Sequence, residues 1–260
     1  VIIGGVAGGA SAAARLRRLD EHAEIIMFEK GDYISFANCG LPYYIGGEIE
    51  ERDALLLQTP ESFNGRFNVD VRVNSEVTSI DTEKKTVTVK NAKTGESYTE
   101  TYDNLILSPG AEPIKPPING LDFSRVFTLR NIPDTDRIKT FVAENQPKSA
   151  AVVGGGYIGV EMAENLHAAG LDVTIIEMQN QVIAPLDYDM ACEVHHHIES
   201  KGVGLLLETA MQSVQEKNGK LHVELCEGSL DVDMLIMSIG VRPETKLAKD
   251  AGLKLNERGS

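Results

Sequence analysis

A strand, a glycine-rich turn and an alanine-rich helix occur twice in this chain of 260 residues, and few folds accommodate such a repeat. The first copy is VIIGGVAGGASAAARLRRL (1–19), which precedes the strand-like EIIMFE (24–29). The second copy is AVVGGGYIGVEMAENLHAAG (151–170), which precedes DVTIIE (172–177). Each copy therefore predicts a βαβ unit with parallel strands.

Both copies continue in the same way. Alternating β segments around a polar turn follow, EVTSIDTEKKTVTVK (76–90) in the first half and QSVQEKNGKLHVEL (212–225) in the second. Each half then closes on a matching strand, DNLILSPG (103–110) or DMLIMSIG (233–240). The repeat predicts an α/β fold with two dinucleotide-binding domains, each with a β-meander insertion.

The proline-rich AEPIKPPING (111–120) predicts the boundary between the halves. We expect a first dinucleotide domain over 1–113 and a second over 114–243. Residues 244–260 are expected to begin a return to the first domain. Because Val1 opens inside an apolar strand and 256–260 end as if another strand should follow, we expect the natural chain to extend further.

The second glycine turn matches the GxGxxG pattern of dinucleotide-binding proteins at Gly154, Gly156 and Gly159. The first glycine permits the tight turn, the second lets the backbone approach a pyrophosphate, and the third brings helix and strand together. Glu177 ends the next strand, eighteen residues after Gly159, where a carboxylate accepts hydrogen bonds from a ribose. This half is predicted to bind a nicotinamide dinucleotide, NADH in preference to NADPH.

The first turn, GGVAGG (4–9), keeps the outer glycines but has Val6 at the middle position. Glu29, twenty residues after Gly9, supplies the ribose carboxylate. A candidate redox thiol, Cys39, follows this turn in the chain. We therefore expect FAD in the first half and NADH, or NADPH, in the second.

Composition excludes several functional classes. A net charge of −14 argues against nucleic acid and anionic membrane surfaces as partners. The longest apolar runs are only strand-sized, so neither a membrane span nor a signal peptide is predicted. The three cysteines have neither CxxC nor metal-ligand spacing, which favours a reducing, cytoplasmic location. No metal site is expected, because the adjacent residues His195, His196 and His197 would point in different directions on a helix.

Cys39, within GDYISFANCGLPYYIGG (31–47), is the candidate catalytic residue. The position that would complete a CxxxxC redox pair is Tyr44, so the chemistry is predicted to use one thiol. Pro42 suits a first helical turn, whose N-terminus would lower the pKa of the thiol. Ser35 and Asn38 could hydrogen-bond the sulfur or the substrate. Cys192 and Cys226 lack such a context and are expected to be structural.

Taken with the repeat and both turns, ISFANCGLPYY (34–44), YDNLILSPGA (102–111) and VFTLRNIPDTDRI (126–138) resemble segments of the pyridine nucleotide-disulfide oxidoreductases. The similarity extends over all 260 residues and is strongest to the single-cysteine branch, the coenzyme A-disulfide reductases and NADH oxidase-like proteins. It implies two Rossmann-like FAD/NAD(P)-binding domains of the disulfide reductase type. It also implies a cytoplasmic flavoprotein that forms a homodimer when full length.

The resemblance assigns roles to individual residues. It implies FAD contacts at Gly4, Val6, Gly8, Gly9, Glu29, Lys30, the backbone near Val77, Ser108, Pro109, Gly110 and Arg130. It implies nicotinamide dinucleotide contacts at Gly154, Gly156, Tyr157, Ile158, Gly159, Glu177 and Gly240, with Tyr157 as the gate over the nicotinamide pocket. Glu161 resembles an acid that lies near the flavin in relatives, although its usual lysine partner has no counterpart here.

The expected substrate follows partly from charge. Arg15, Arg17 and Arg18 form a basic cluster on the first helix, and arginine suits the phosphates of coenzyme A. The resemblance implies substrate contacts at Ser11, Arg15 and Arg18, with Arg66 as a further candidate, beside Ser35 and Asn38. The alternative is a solvated helix face whose arginines pair with Asp20 and Glu21.

The resemblance thus implies an enzyme, a flavin-dependent NAD(P)H reductase of coenzyme A disulfide or coenzyme A persulfide that forms a mixed disulfide on Cys39. A polysulfide or persulfide reductase is the nearest alternative, and a following rhodanese-like domain would favour it. An NADH oxidase is less favoured, because Ala7 stands where oxidase relatives carry a histidine. A redox-sensing nucleotide-binding module is the non-enzymatic alternative.

Overall fold

The computed structural model describes residues 1–257. The helices are α1 (Ala7–Leu19), α2 (Leu41–Gly46), α3 (Pro60–Phe67), α4 (Ile132–Asn145), α5 (Tyr157–Ala168), α6 (Tyr188–Ser200) and α7 (Lys246–Asp250). Short 3₁₀ turns cover Asn38–Gly40 and Arg52–Leu55.

The strands of the first half are β1 (Ile2–Ile3), β2 (Ile26–Phe28), β3 (Asp70–Arg72), β4 (Ser75–Asp81), β5 (Thr86–Asn91), β6 (Ser97–Thr101), β7 (Ile106–Leu107) and β8 (Ala111–Pro113). Those that follow are β9 (Val126–Thr128), β10 (Ser149–Val153), β11 (Asp172–Ile176), β12 (Gly204–Leu206), β13 (Met211–Lys217), β14 (Lys220–Leu225), β15 (Ser229–Val232), β16 (Met234–Met237) and β17 (Val241–Pro243).

Contacts divide the chain into two compact units. Unit one comprises Val1–Ala37, Asp53–Glu112 and the chain from Arg242 onward, and unit two comprises Asn38–Arg52 and Pro113–Val241. The segment 38–52, which the sequence placed in the first domain, therefore packs with unit two. The three last residues of the predicted 244–260 return segment lie outside the described residues.

Unit one contains a parallel sheet in the order β3-β2-β1-β7 and an antiparallel sheet in the order β4-β5-β6. Ile2 of the central strand pairs with Met27 on one side and Ile106 on the other. The strand predicted over 103–110 is short, because Pro109 has no backbone N–H and Gly110 has a φ of +79°. Helix α1 buries Ala10 and Ala13 against this sheet, which explains the alanine-rich sequence.

Unit two repeats the plan with a parallel sheet in the order β12-β11-β10-β16-β9 and an antiparallel sheet in the order β13-β14-β15. Strand β10 is central and nearly all of it is buried, as expected for a parallel strand covered on both faces. The predicted α/β fold with a β-meander in each half is confirmed. Within residues 1–257, no helix has the length and apolar character needed to cross a membrane.

Candidate dinucleotide and thiol sites

The glycine turn of unit two joins β10 to α5. Gly154 has a φ of +104°, and a Cβ there would lie 2.5 Å from the carbonyl oxygen of Ser238. A Cβ on Gly159 would overlap the carbonyl oxygen of Gly154. Gly156 differs, because no atom lies within 4 Å of the place its Cβ would take. At Gly154 and Gly159 the close packing of the backbone leaves no room for a side chain, whereas Gly156 leaves open space at the N-terminus of α5.

Glu177 lies beside this turn, just past the end of β11. Its Oε2 accepts a hydrogen bond from the backbone N–H of Gly155 at 2.6 Å, and its Oε1 accepts one from Gln179 at 2.7 Å. Each carboxylate oxygen keeps a further lone pair for a hydroxyl donor. Open space at Gly156 and a fixed acid at Glu177 fit a phosphate and a ribose.

Tyr157, Ile158 and Gly240 complete the predicted residues of this half. The side chains of Tyr157 and Ile158 are exposed, at the first turn of α5. Gly240 has a φ of +107°, and its carbonyl accepts a hydrogen bond from the backbone N–H of Ile114 at 3.0 Å. The predicted gate function of Tyr157 stays a prediction.

Unit one builds the same turn between β1 and α1. Gly4 has a φ of +98°, and a Cβ there would overlap the carbonyl oxygen of Ser108, while one on Gly9 would overlap that of Gly4. Glu29 Oε2 accepts from the N–H of Gly5 at 2.9 Å, and its Oε1 accepts from Gly31 at 2.8 Å. The two acids therefore make equivalent contacts, Glu29 with Gly5 and Glu177 with Gly155.

Val6 stands where unit two has open space. It is the residue before α1, with a φ of −90° that a side chain tolerates. A Cβ on Gly8 would lie 3.2 Å from the hydroxyl oxygen of Ser108, so this part of the turn is crowded. The backbone still leaves the first N–H groups of α1 without a side-chain cap, which fits a phosphate.

The other predicted FAD residues are less uniform in position. Lys30 pairs with Glu112 at 2.9 Å between Nζ and Oε1, both half-exposed. Val77 is buried beside an irregularity in the pairing of β4 with β5. Ser108, Pro109 and Gly110 follow β7 in unit one, and Arg130 belongs to unit two.

Cys39 lies in the 3₁₀ turn 38–40 and is exposed and free. Helix α2 begins two residues later with Leu41 and Pro42, as the sequence predicted, and is capped by Gly47, whose φ is +91°. Because Leu41, Pro42 and Ile45 are buried, the short helix is fixed while the thiol before it stays open to solvent.

Helices α4 and α5 hold the thiol-bearing segment through contacts that sequence analysis did not find. Arg52 donates two hydrogen bonds to Asp136, Nε to Oδ1 at 2.9 Å and Nη2 to Oδ2 at 2.7 Å. Lys139 donates from Nζ to the carbonyl oxygen of Tyr44, near the end of α2, and lies 4.3 Å from the centre of its ring. Gly46 packs on Asn165, whose side chain a Cβ on Gly46 would overlap.

The charge of Glu161 on α5 acts on the phenol of Tyr43 on α2. Burial is the largest cause that raises the pKa of Glu161, and the charge of Glu164 raises it further. The charge of Glu161 is the largest cause that raises the pKa of Tyr43, ahead of burial and Glu164. Tyr43 is therefore a neutral phenol at physiological pH and can donate a hydrogen bond near the thiol-bearing turn.

The other two cysteines lie elsewhere in unit two. Cys192 is partly buried on α6, and Cys226 is exposed just after β14. The Sγ of Cys226 accepts a hydrogen bond from the backbone N–H of Ala210 at 3.4 Å. Their expected structural role stays a prediction.

The basic cluster on α1 divides into two kinds of arginine. Arg17 donates to the carbonyl oxygens of Phe67 and Asn68 at 2.8 and 2.7 Å, and also to those of Asp20 and Glu21. It therefore ties the end of α1 to the end of α3. Arg15 and Arg18 are exposed, and within residues 1–257 neither forms an ion pair or hydrogen bond. Of the alternative, a solvated helix face that pairs with Asp20 and Glu21, Arg17 supplies the pairing through the backbone carbonyl oxygens of both residues, and Arg15 and Arg18 are the solvated members.

Several predicted contact residues lie at the surface. Ser11 is exposed on α1, and Arg66 lies 5.1 Å from the ring centre of Phe67. Ser35 has a φ of +43° and Asn38 opens the turn that contains Cys39.

The three adjacent histidines differ in exposure. His196 and His197 are exposed, whereas His195 is buried. Across residues 1–257, no three His, Cys, Asp or Glu side chains group so as to hold a metal ion.

These features define a class, an α/β protein that has two dinucleotide-binding units and an exposed thiol in one chain. The chain belongs to the pyridine nucleotide-disulphide oxidoreductase family, whose model matches residues 1–260. Members of this family are FAD-dependent enzymes that use pyridine nucleotides.

Particular relatives are similar over the whole chain. It is 39% identical over 261 residues to the coenzyme A disulfide reductase of Staphylococcus haemolyticus, and spans 58% of that protein. It is 56% identical to reduced Bacillus anthracis CoADR-RHD, with a TM-score of 0.97 over 46% of that chain. It is 36% identical to an NAD-dependent persulfide reductase from A. fulgidus, with a TM-score of 0.95 over 48% of that chain. The similarity to the single-cysteine branch is thereby confirmed.

Proposed function

We propose that this protein uses NADH to reduce coenzyme A disulfide through the single thiol of Cys39. The observation that carries the proposal is the exposed Cys39, with Tyr44 in place of a second cysteine, on a segment fixed by Lys139 and Arg52. The relatives named for coenzyme A disulfide and persulfide reduction support this choice of substrate.

The thiol performs the sulfur chemistry. The Cys39 thiolate attacks one sulfur of the disulfide, so a Cys39–S–S–R bond forms, the substrate S–S bond breaks and one thiolate leaves. Two electrons and a proton then restore the Cys39 thiolate and release the second thiol. Overall, NADH, one proton and RSSR yield NAD⁺ and two RSH.

The two glycine turns would hold the cofactors. In unit one the N-terminus of α1 would face the phosphates of FAD and Glu29 its ribose; in unit two α5 and Glu177 would do the same for NADH. When bound, the nicotinamide and flavin would supply the two electrons that reduce sulfur. We assign 1–113 to FAD binding and 114–243 to NADH binding, and propose that the full-length protein is a homodimer.

An anaerobic assay of the intact protein tests the proposal. NADH oxidation is followed with coenzyme A disulfide as the sole acceptor and with glutathione disulfide as the matched comparison. Rapid NADH oxidation with coenzyme A disulfide, and not with glutathione disulfide, supports the proposal. Equal rates with both acceptors, or none with either, contradict it.

Persulfide reduction is the second candidate, favoured by the likeness to the A. fulgidus enzyme. The Cys39 thiolate can attack the outer sulfur of a persulfide R–S–SH, so that a Cys39–S–SH bond forms, the substrate S–S bond breaks and RS⁻ leaves. Two electrons and protons then release H₂S and restore the Cys39 thiolate, so that R–S–SH, NADH and one proton give RSH, H₂S and NAD⁺. Production of sulfide from coenzyme A persulfide at a higher kcat/KM than that for the disulfide would select this reaction.

Arg15 and Arg18 are expected to bind the phosphates of coenzyme A. Arg15→Met and Arg18→Met should each raise KM for coenzyme A disulfide roughly tenfold, because a charge-assisted hydrogen bond is lost. The rate with cystine, which has no phosphate, should stay unchanged. Arg17→Met is the contrasting variant, since it should lower the melting temperature and leave KM unaltered. An unchanged KM for coenzyme A disulfide in both Arg15→Met and Arg18→Met would contradict the assignment.

Glu177 is expected to determine the choice between NADH and NADPH. Glu177→Gln keeps the shape and the acceptor for Gly155 but removes the charge, so NADH should bind roughly tenfold more weakly and NADPH relatively better. Titration of the two nucleotides by fluorescence measures both affinities. Glu164→Gln, on the exposed face of α5, is the control that should change neither. An unaltered ratio of the affinities would count against the role of Glu177.

A further inference from the structure

His195 is a buried titratable residue that the proposed chemistry does not use. It lies on α6 with 8% of its surface exposed. The backbone N–H of Val182 donates a hydrogen bond to its Nε2 at 3.2 Å. A nitrogen that accepts carries no proton, so the imidazole is neutral with its proton on Nδ1.

Val182 and the next residue contact the glycine turn of unit two. The side chain of Val182 is fully buried, and its Cγ1 would lie 2.8 Å from a Cβ on Gly155. The backbone N–H of Ile183 donates to the carbonyl oxygen of Gly155 at 2.8 Å. The N–H of Gly155 in turn donates to Glu177. A continuous set of contacts therefore joins His195 to the acid that would bind ribose.

The segment that His195 contacts is strained. Ile183 has a φ of +48°, a conformation that β-branched residues rarely adopt. Such a conformation persists only where its surroundings fix it, and it is common in segments that bind ligands. The hydrogen bond from Val182 to His195 is adjacent to this strained residue and helps to fix it.

Unit one holds the corresponding segment, which contacts its own glycine turn, without a histidine. Ser35 there has a φ of +43°, and its N–H donates to Gly5 at 3.0 Å, as Ile183 does to Gly155. The backbone of Leu57 donates to Ser35 at 3.1 Å, and Phe36 forms a β-bridge with Leu56. Backbone pairing thus holds the segment in unit one, whereas a side chain on α6 holds it in unit two.

We infer that His195 is a positioning residue for nucleotide binding, whose neutral imidazole holds Val182 and Ile183 so that Gly155 and Glu177 stay aligned for the ribose of NADH. This inference rests on the proposed NADH site of unit two. It assigns to His195 a function in affinity for the dinucleotide rather than in the sulfur chemistry.

Three variants of the intact protein test the inference. His195→Phe keeps a ring but loses the acceptor, His195→Gln supplies an amide oxygen near the place of Nε2, and His196→Phe changes the exposed neighbour. The dissociation constant for NADH, measured by fluorescence well below the melting temperature, should rise about tenfold in His195→Phe, the order expected when a buried donor loses its acceptor. It should return to within about threefold in His195→Gln, because an acceptor is restored. His196→Phe should bind as the unsubstituted protein does, and bound flavin should not change in any variant.

The outcomes separate this inference from the proposed function. If the unsubstituted protein does not bind NADH, the proposed function fails and the inference with it. If it binds NADH and His195→Phe binds equally well, or His195→Gln is as weak as His195→Phe, the inference alone is overturned. Should His195→Phe fail to fold, ¹⁵N NMR of the unsubstituted protein decides: a proton on Nδ1 with an acceptor Nε2 supports the inference, and a proton on Nε2 overturns it.

Discussion

Replacement of Cys39 by serine is expected to lower disulfide-dependent NADH oxidation on the order of a thousandfold or more. A serine hydroxyl neither ionises near neutral pH nor forms a disulfide, so no mixed disulfide can arise. Cys39 is exposed and lies outside both glycine turns, so the variant should fold and should still bind FAD and NADH. Anaerobic stopped-flow absorbance of the nicotinamide, with coenzyme A disulfide as the acceptor, measures the loss.

Cys226→Ser is the matched control for that experiment. Cys226 is also exposed and also in unit two, but it follows β14 rather than preceding α2. Its replacement should leave the rate of disulfide reduction unchanged. Retention of the full rate by Cys39→Ser would show that sulfur is reduced without the thiol and would contradict the proposed mechanism.

Gly4→Ala is expected to destabilise the protein by about 4 kcal/mol and to prevent flavin binding. Two costs add at this position. The φ of +98° is one that a residue with a side chain rarely adopts, and the new Cβ would overlap the carbonyl oxygen of Ser108. Either β1 moves away from the segment after β7 or the turn opens, and in both cases the N-terminus of α1 loses its place. Urea unfolding and the flavin content of the purified protein measure the two effects.

Gly65→Ala in α3 separates this effect from the mere addition of a methyl group. Gly65 is exposed within a helix and no atom lies within 4 Å of the place its Cβ would take, so the substitution should stabilise the protein by roughly 0.5–1 kcal/mol. Flavin content should stay as in the unsubstituted protein. Normal stability and flavin content in Gly4→Ala would mean that the turn does not need glycine.

The sequence was sufficient to predict the turns because their requirements are local. A glycine at a positive φ, a glycine where helix meets strand and an acid at the end of the next strand occur at fixed spacing, so Gly154, Gly159 and Glu177 could be assigned from the printed residues. The start of α2 beside Pro42 is local in the same sense.

The contacts that hold the thiol could not be predicted in this way. Arg52 and Asp136 are separated by 84 residues, and Lys139 and Tyr44 by 95, so no spacing connects them. The arginines of α1 illustrate the same limit. Their common charge suggested one function, but Arg17 alone reaches the carbonyl oxygens at the end of α3, which depends on where that helix ends in space.

The assignment of Asn38–Arg52 to unit two affects how this molecule can be divided and recombined. A gene fragment for 114–243 alone would omit α2, and the faces of α4 and α5 that carry Lys139 and Asn165 would lose their covering residues Tyr44 and Gly46. Exchange of unit two between relatives therefore requires two separate segments, Pro113–Val241 and the fifteen residues Asn38–Arg52, and so four junctions. A chimera made at the proline-rich boundary would join a thiol segment from one parent to helices from another.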